Sequence, residues 1–350
     1  MKELFARRLK NARKLAGMSQ DDLVGAMDGI VKKTSIAKYE RAEMMPDSRV
    51  VMALSRALGV LPGYFTREFN VSIQKPEFRK KKSLGVKDLE SIEQKVMTSL
   101  ELYLELEELA GKTDVFERSL SGKIIHNEED VEDAAEQLLA EWNLGLKGFS
   151  NVFSVLEEHG IRLIEVATDT TFDGFSTYAN GVIPVIVYNN VFTVERKRLT
   201  VLHELGHLLL NFDEAILTDE SRVEKLCFRF GAALMMPRAC FYKEIGSKRH
   251  RLPLEELIIL KNRYGISVAA IVRRALNLGV INESYYLSKQ FELKNNRLEE
   301  GWGHYGIAEE PSRFIQLLLR SLAEQVISPE KASELAGMKS NEFMNKYHIS

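Results

Sequence analysis

Two histidines and a glutamate lie inside the apolar segment VLHELGHLLL, which runs from Val201 to Leu210. His203 and His207 are four residues apart, so on a helix both imidazoles project from one face and can bind the same ion. Glu204 lies beside them and can accept a proton from a water molecule held there. Burying such polar groups without partners costs ~1–3 kcal/mol each, and a metal ion supplies the partners. The pattern His-Glu-x-x-His therefore predicts a catalytic zinc site on a helix.

A catalytic zinc ion needs a third protein ligand and leaves a fourth position for water or substrate. The segment DESRVEKLCFRFGAALMMP predicts a second helix with an apolar stripe, and Glu224 lies beside that stripe. Because a carboxylate among apolar neighbours needs a cation as partner, Glu224 is the candidate third ligand. Four other acidic residues compete for this role, although they cluster in a predicted loop where solvated acids are common: Asp213, Glu214, Asp219 and Glu220.

These residues together predict hydrolysis of a peptide bond. Zinc lowers the pKa of a bound water to about 7 and polarises a carbonyl group, while Glu204 is the candidate general base. Gly206 costs up to ~1 kcal/mol relative to alanine inside a helix, so we expect another segment to approach its backbone closely. Three tyrosines are candidates for stabilising the oxyanion, and each also has a structural interpretation: Tyr178, Tyr188 and Tyr242.

Length and composition indicate a soluble protein of two or three domains, since the chain has 350 residues, of which 45% are hydrophobic and 28% charged. No apolar run reaches the roughly 20 residues that cross a bilayer. The N-terminal segment MKELFARRLK carries charges where a secretory signal has an apolar core. Cys227 and Cys240 lack the spacing of metal-binding pairs. We therefore expect a cytoplasmic protein with free thiols and no membrane span.

The N-terminal region has an uneven charge. Residues 1–69 contain 13 Lys and Arg against 8 Asp and Glu, although the whole chain has a net charge of −2, and this excess favours an anionic partner. The same region predicts five short helices. Gly17 ends the first of them, and Ser19 with Asp22 forms a capping box that begins the second. Short helices with tight connections are typical of a helix-turn-helix domain.

Residues 4–65 resemble the XRE-type DNA-binding domains of repressors, on the strings LKNARKLAGMSQDDLVGAM, TSIAKYERAEMMPDSRVVMALSRALGV and YF. The resemblance implies a recognition helix that buries Ile36 and Tyr39 and faces double-stranded DNA with its other side. Ala42 departs from the glycine that is frequent in this family, so the turn after the recognition helix is expected to differ in detail. The resemblance implies five DNA-binding residues: Gln20, Lys33, Thr34, Ser35 and Lys38.

Physical chemistry supports this interpretation of the lysines, because Lys33 and Lys38 can reach guanine acceptors or phosphates in a major groove that admits one helix. The plainer interpretation is that these two lysines only keep the outer face of the helix in contact with water.

Residues 70–128 predict a polar linker followed by a long helix with an apolar stripe. Such a stripe packs against its own protein or against a second copy, and a homodimer is therefore among the expectations.

Residues 129–285 predict an α+β domain. VEDAAEQLLAEWNLG and FSNVFSVLEEHG are typical of helices, and IRLIEVA and VIPVIVYNN of strands. Within it, residues 150–240 resemble the ImmA/IrrE family of zinc metallopeptidases, on FSVLEEHGIRLIEV, FDGFS, PVIVYNN, ERKRLTVLHELGHLLL and VEKLCFRFGAALMMP. This resemblance implies that His203, His207 and Glu224 are the zinc ligands and Glu204 the general base. The departures from the family are at three positions, none of them a proposed ligand: Asn211, Cys227 and Phe228.

The expected fold is therefore multidomain and mainly α-helical, with a five-helix DNA-binding domain, a zincin-like α+β domain containing a small sheet, and a helical C-terminal region. In residues 286–350, SPEKASELAGMKSNEFMNKY has Ser328 as N-cap, Pro329 just inside the helix and Gly337 in a turn. This pattern fits either a second helix-turn-helix or a protein-contact appendage.

Two functions remain open on sequence alone. The first is a DNA-binding transcriptional regulator that also carries a zinc endopeptidase. Its protein substrate would be a repressor or an antitoxin-like regulator. The resemblance to the ImmA/IrrE family implies this substrate, and also that the genes under its control are stress-response, prophage or mobile-element genes. The alternative is a regulator without proteolysis, in which the metal site is a sensor or structural. Glu204 favours the enzyme, because a structural metal site does not need a carboxylate that activates water.

Overall fold

The computed structural model describes residues 1–68, 71–73, 86–112, 115–145, 149, 151–168 and 172–349. Its elements in chain order are α1 (Lys2–Leu15), α2 (Gln20–Ala26), α3 (Lys33–Glu40), α4 (Ser48–Leu58), the 3₁₀-helix η1 (Pro62–Thr66), α5 (Val86–Leu109), β1 (Ile124–Ile125), α6 (Glu128–Glu141), α7 (Val152–Glu158), β2 (Arg162–Val166), β3 (Gly174–Ala179), β4 (Ile183–Asn189), α8 (Val194–Leu209), β5 (Asn211–Phe212), α9 (Glu214–Leu217), α10 (Glu220–Met235), α11 (Arg238–Ile245), α12 (Leu254–Tyr264), α13 (Val268–Asn277), α14 (Glu283–Asn295), α15 (Arg313–Ala323), α16 (Pro329–Leu335) and α17 (Ser340–Lys346).

The chain divides into two compact units. The first contains the described residues within Met1–Ile73, Glu77–Thr113 and Ser312–Ser350, and the second contains those within Asp114–Pro311. None of the helices formed by the described residues is long and apolar enough to cross a membrane.

The N-terminal helices α1 to α4 and η1 surround one small core, to which Leu9, Leu23, Ile36 and Phe65 contribute fully buried side chains. Helix α2 begins with the predicted capping box: the Ser19 hydroxyl accepts from the Asp22 N–H, and the Asp22 carboxylate accepts from the Ser19 N–H. The helix-turn-helix prediction is confirmed in this region, with the fifth helix formed as a 3₁₀-helix.

The turn after α3 keeps a left-handed backbone although it has no glycine, since Ala42 has a φ of 59°. This conformation costs an L-residue about 1–2 kcal/mol, whereas glycine adopts it freely but loses more backbone entropy on folding. We expect Ala42→Gly to raise the free energy of unfolding of the first unit by about 0.5–1 kcal/mol. Urea denaturation followed by circular dichroism measures this change.

The matched control is Ala37→Gly, which lies inside α3 and should lower the same free energy by about 1 kcal/mol. Equal effects of the two substitutions would show that the turn carries no strain.

Helix α5 and the three C-terminal helices belong to the first unit. Arg8 of α1 donates to the carboxylate of Glu101 in α5 at 2.5 Å, and both side chains are buried. Five residues further along α5, Leu106 joins a core made with Leu317, Leu318 and Phe343 of the last helices. The apolar stripe of α5 is therefore packed within its own chain.

Ion pairs between segments far apart in the sequence also hold the first unit together. Arg67, just after η1, donates to Glu334 of α16 at 2.5 Å, and Lys331 of α16 donates to Glu105 of α5.

The domain boundaries that we predict after residues 69, 128 and 285 differ from the boundaries of the two compact units. Sequence alone does not show that helices from both ends of the chain belong to the same unit. The division into four domains stays a prediction.

The second unit is built around a three-stranded sheet in the order β2-β4-β3, in which β4 is parallel to β2 and antiparallel to β3. Strands β1 and β5 form a separate parallel pair. Helix α8 lies against β3 and β4, and α10 packs against α8 and α6. Strands β2 and β4 were predicted from sequence, whereas β3 was not.

Candidate metal centre

Helix α8 carries the His-Glu-x-x-His segment and is covered on two sides, by the sheet and by α10. This explains why residues 200–206 of α8 are all buried. His203 and Glu204 are buried, while His207 is half-buried. His203 is therefore held in the core, and His207 lies where the site is partly exposed to solvent.

Two glycines let α8 and α10 approach closely. A Cβ atom at Gly206 would lie 3.3 Å from the Cα of Cys227, and one at Gly231 would lie 3.1 Å from the backbone nitrogen of His203. The close approach predicted at Gly206 is confirmed, and α10 is the segment that makes it. As a result, Glu224 in the second turn of α10 faces both histidines of α8.

Three potential ligand atoms converge at this point. The Nε2 atoms of His203 and His207 are 3.2 Å apart. One Glu224 carboxylate oxygen lies 3.3 Å from the His203 Nε2 atom, and the other lies 3.3 Å from the His207 Nε2 atom. Ligands bonded to a tetrahedral zinc ion at ~2.0–2.1 Å are separated by about 3.3 Å. The spacing and the donor set, two imidazoles and one carboxylate, thus fit a zinc ion.

The charge state of Glu224 suits this arrangement. Hydrogen bonds to His203 and His207 hold the pKa of the Glu224 carboxyl well below its usual range, against the opposing effect of its partial burial. The carboxylate is therefore ionised at neutral pH, as a metal ligand must be.

The competing acids have other roles or positions. Asp213 caps α9 by accepting from the Ile216 N–H, and it also contacts the His126 ring at 2.9 Å. Asp219 caps α10 by accepting from the Arg222 N–H. Glu214 and Glu220 are exposed. Among the described residues, only Glu224 joins the two histidines in a cluster able to hold a metal ion.

Glu204 has a partner that our sequence analysis missed. The Ser176 hydroxyl donates to the Glu204 carboxylate at 3.1 Å, while the other carboxylate oxygen lies 3.9 Å from the His203 Nε2 atom. Ser176 belongs to β3, which was not predicted as a strand. The available signal was the residue types of GFSTYA, since Phe, Thr and Tyr are enriched in strands. In the structure its alternate residues Phe175, Thr177 and Ala179 are buried.

Strand β3 runs along α8 in register with its turns. A Cβ atom at Gly174 would lie 2.9 Å from the Thr200 side chain, Ser176 meets Glu204, and the Tyr178 hydroxyl donates to the Leu208 carbonyl at 3.3 Å. Two residues of a strand and one turn of a helix advance by similar distances, about 6.7 and 5.4 Å. This match fixes Ser176 opposite the second residue of the His-Glu-x-x-His pattern.

The three candidate tyrosines are separated by their environments. Tyr188 is buried and donates to Glu165 at 3.4 Å, and Tyr242 donates to the Leu278 carbonyl at 3.1 Å. Of these three tyrosines, only Tyr178 has its hydrogen bond to α8, which it donates to the Leu208 carbonyl next to His207.

In the first unit, α3 exposes Lys33, Thr34 and Lys38, leaves Ser35 half-buried, and buries Ile36 and Tyr39. Lys33 forms an exposed ion pair with Asp21 at 2.6 Å. The Gln20 side chain, at the first position of α2, donates to Glu40 at 2.8 Å. The structure thus places the predicted lysines and threonine on the outer side of α3 and holds Gln20 beside the end of that helix.

Comparison with protein-family models gives two matches. Residues 9–65 match the helix-turn-helix family, and residues 156–276 match the IrrE N-terminal-like domain, a metallopeptidase family. No curated protein matches the sequence. The chain therefore carries an XRE-type helix-turn-helix domain followed by an ImmA/IrrE-like metallopeptidase domain, and both resemblances are confirmed.

Proposed function

We propose that this chain is a cytoplasmic, DNA-binding transcriptional regulator whose second domain is a zinc-dependent endopeptidase acting on a repressor or antitoxin-like protein. The observation that carries the proposal is the convergence of His203, His207 and Glu224, with ligand-atom separations of 3.2–3.3 Å, directly beside Glu204. A purely structural zinc site is closed by four protein ligands, whereas the described residues supply three. The fourth position is then available to water and substrate.

His203, His207 and Glu224 would hold the zinc ion, which supplies Lewis-acid chemistry when bound. Glu204 performs the proton transfers: its carboxylate takes a proton from the attacking water and later gives it to the leaving amine. Ser176 donates to one oxygen of Glu204 and so keeps the other oxygen directed towards the histidines. The bond broken is the amide C–N bond of the substrate peptide.

The proposed substrate is a regulatory protein because the same chain carries a DNA-binding domain. A repressor bound at a neighbouring site, a partner antitoxin, or the helix-turn-helix domain of a second copy all fit this description. Cleavage would release the genes that the repressor controls, which we propose to be stress-response, prophage or mobile-element genes.

A cleavage assay tests the proposal. The zinc-loaded parent chain is incubated with purified repressors of the same cell, and separately with its own full-length Glu204→Gln variant as a substrate in trans. We expect one of these proteins to be cut at a single region, with loss of cutting after chelation and recovery when zinc is restored. Mass spectrometry of the fragments identifies the bond.

Absence of fragments from a chain with verified zinc content would contradict the peptidase. If zinc then altered DNA binding without any cleavage, the sensor function would be the correct one.

Ser176 provides a graded test of the proton-transfer step. A hydrogen bond to a charged group is worth about 1.5–3 kcal/mol, so we expect Ser176→Ala to lower kcat by roughly 10-fold or more with little change in KM or zinc content. Ser176→Thr keeps the hydroxyl on a strand that tolerates β-branched residues and should retain most of the activity. Equal losses in both variants would exclude a role for the hydroxyl.

The DNA-binding part of the proposal predicts a change in salt dependence. Each phosphate contact contributes about −0.9 to the slope of log affinity against log salt concentration. Replacing both Lys33 and Lys38 by alanine should weaken binding to a duplex selected from random sequence and reduce the slope by about 1–2. Lys95→Ala, an exposed lysine on α5, is the matched control. An unchanged slope in the double variant would remove α3 from the interface.

A further inference from the structure

Phe228 is an exposed aromatic residue beside the candidate metal centre. It lies on α10, one turn after Glu224, and 49% of its surface is exposed. Its neighbours Cys227 and Phe230 are fully buried. Burial in the core of the domain therefore does not account for the position of this ring.

The Phe228 ring packs on a metal ligand. Its centroid lies 3.9 Å from the centroid of the His203 imidazole, with an angle of 34° between the two planes. The contact joins α10 to α8 directly at the ligand, whereas the His203 and His207 rings are 4.8 Å apart and nearly perpendicular.

The orientation of His203 needs such a contact. Its Nε2 atom faces His207 and Glu224, so Nδ1 points away from the proposed metal position. With Nε2 bound to a metal ion, Nδ1 would carry the ring hydrogen. Metal-binding histidines usually donate this hydrogen to a carboxylate or carbonyl that fixes the ring. Here Nδ1 is buried, and the described part of the chain offers it no hydrogen-bond partner.

We propose that Phe228 is a positioning residue that holds the His203 imidazole in its metal-binding orientation by ring packing, in place of a hydrogen bond at Nδ1. This inference rests on the proposed zinc site. Loss of an outer partner of a metal-binding histidine typically weakens metal binding by about 10–100-fold, and we expect loss of the Phe228 ring to fall at the lower end of that range.

The test is a zinc affinity measurement on the full chain by competition with a chromophoric zinc chelator. Phe228→Ala should bind zinc about 10-fold more weakly than the parent, and Phe228→Tyr, which keeps the ring, should stay within roughly 2-fold of it. Phe291→Ala removes another exposed phenylalanine of the same unit, 72% exposed, and should bind zinc like the parent. The melting temperature of the metal-free chain should be the same for all four proteins.

Parent-like affinity of Phe228→Ala would overturn the inference, as would a Phe228→Tyr variant as weak as Phe228→Ala. A metal-free Phe228→Ala chain that melts lower than the parent would assign the ring to folding and would overturn it as well. Failure of the proposed function looks different: the parent itself would not bind zinc, or His203→Ala would bind it as tightly as the parent.

Discussion

A chain with Glu204→Gln should bind zinc as the parent does and cleave its protein substrate about 10²–10⁴-fold more slowly. Glutamine has nearly the same shape and can still accept the hydrogen bond that Ser176 donates to residue 204. Its amide cannot take a proton from water at neutral pH, so the proton-transfer step is lost while the ligands stay intact. Single-turnover rates and metal analysis of the same preparation measure the two properties together.

Glu214→Gln is the matched control, because Glu214 is one of the competing acids and is exposed. It should cleave at the parental rate. A Glu204→Gln chain that cleaved as fast as the control would show that another group accepts the proton.

The second large effect is expected at Glu224. Removing this proposed ligand by Glu224→Ala should weaken zinc binding by more than about 100-fold, beyond the typical loss for an outer partner, because only two imidazoles would remain. Activity should disappear with the metal. Zinc affinity measured by chelator competition, and metal content after dialysis, give the result.

Glu220→Ala provides the comparison for this variant, since Glu220 lies one turn earlier on α10 and is exposed. It should keep the parental affinity. If Glu224→Ala also kept it, the third ligand would have to come from elsewhere in the chain.

The side-chain cluster of the candidate metal centre could be anticipated largely because its first part is local. Residues four apart on a helix share a face, and the structure places the Nε2 atoms of His203 and His207 3.2 Å apart. Glu224 is distant in sequence, but its position beside an apolar stripe indicated that it would face the core. The two glycines, Gly206 and Gly231, then determine how closely the two helices meet.

Ser176 and Phe228 could not be assigned from sequence for different reasons. Ser176 lies on a short strand whose pairing with β4 depends on residues elsewhere in the chain, and its contact with Glu204 depends on how that sheet packs on α8. Phe228 was noticed as a departure from the family, but its effect depends on the orientation of the His203 ring, which is a property of the folded site.

The sequence also did not show which segments of the chain form the first unit. The helices α1 to α4 follow from local periodicity and capping, whereas the pairing of Arg8 with Glu101 and of Arg67 with Glu334 joins residues far apart in the chain. Apolar periodicity showed that α5 needed a partner. It did not show that the last three helices of the same chain supply it.

Anomalous diffraction at the zinc edge, from crystals of the zinc-loaded full chain, tests the central claim most directly. The account predicts one strong peak at bonding distance, ~2.0–2.2 Å, from His203 Nε2, His207 Nε2 and a Glu224 carboxylate oxygen, with Glu204 outside bonding distance. A zinc ion bound by other residues, by Glu204 in place of Glu224, or by four protein side chains would contradict the account.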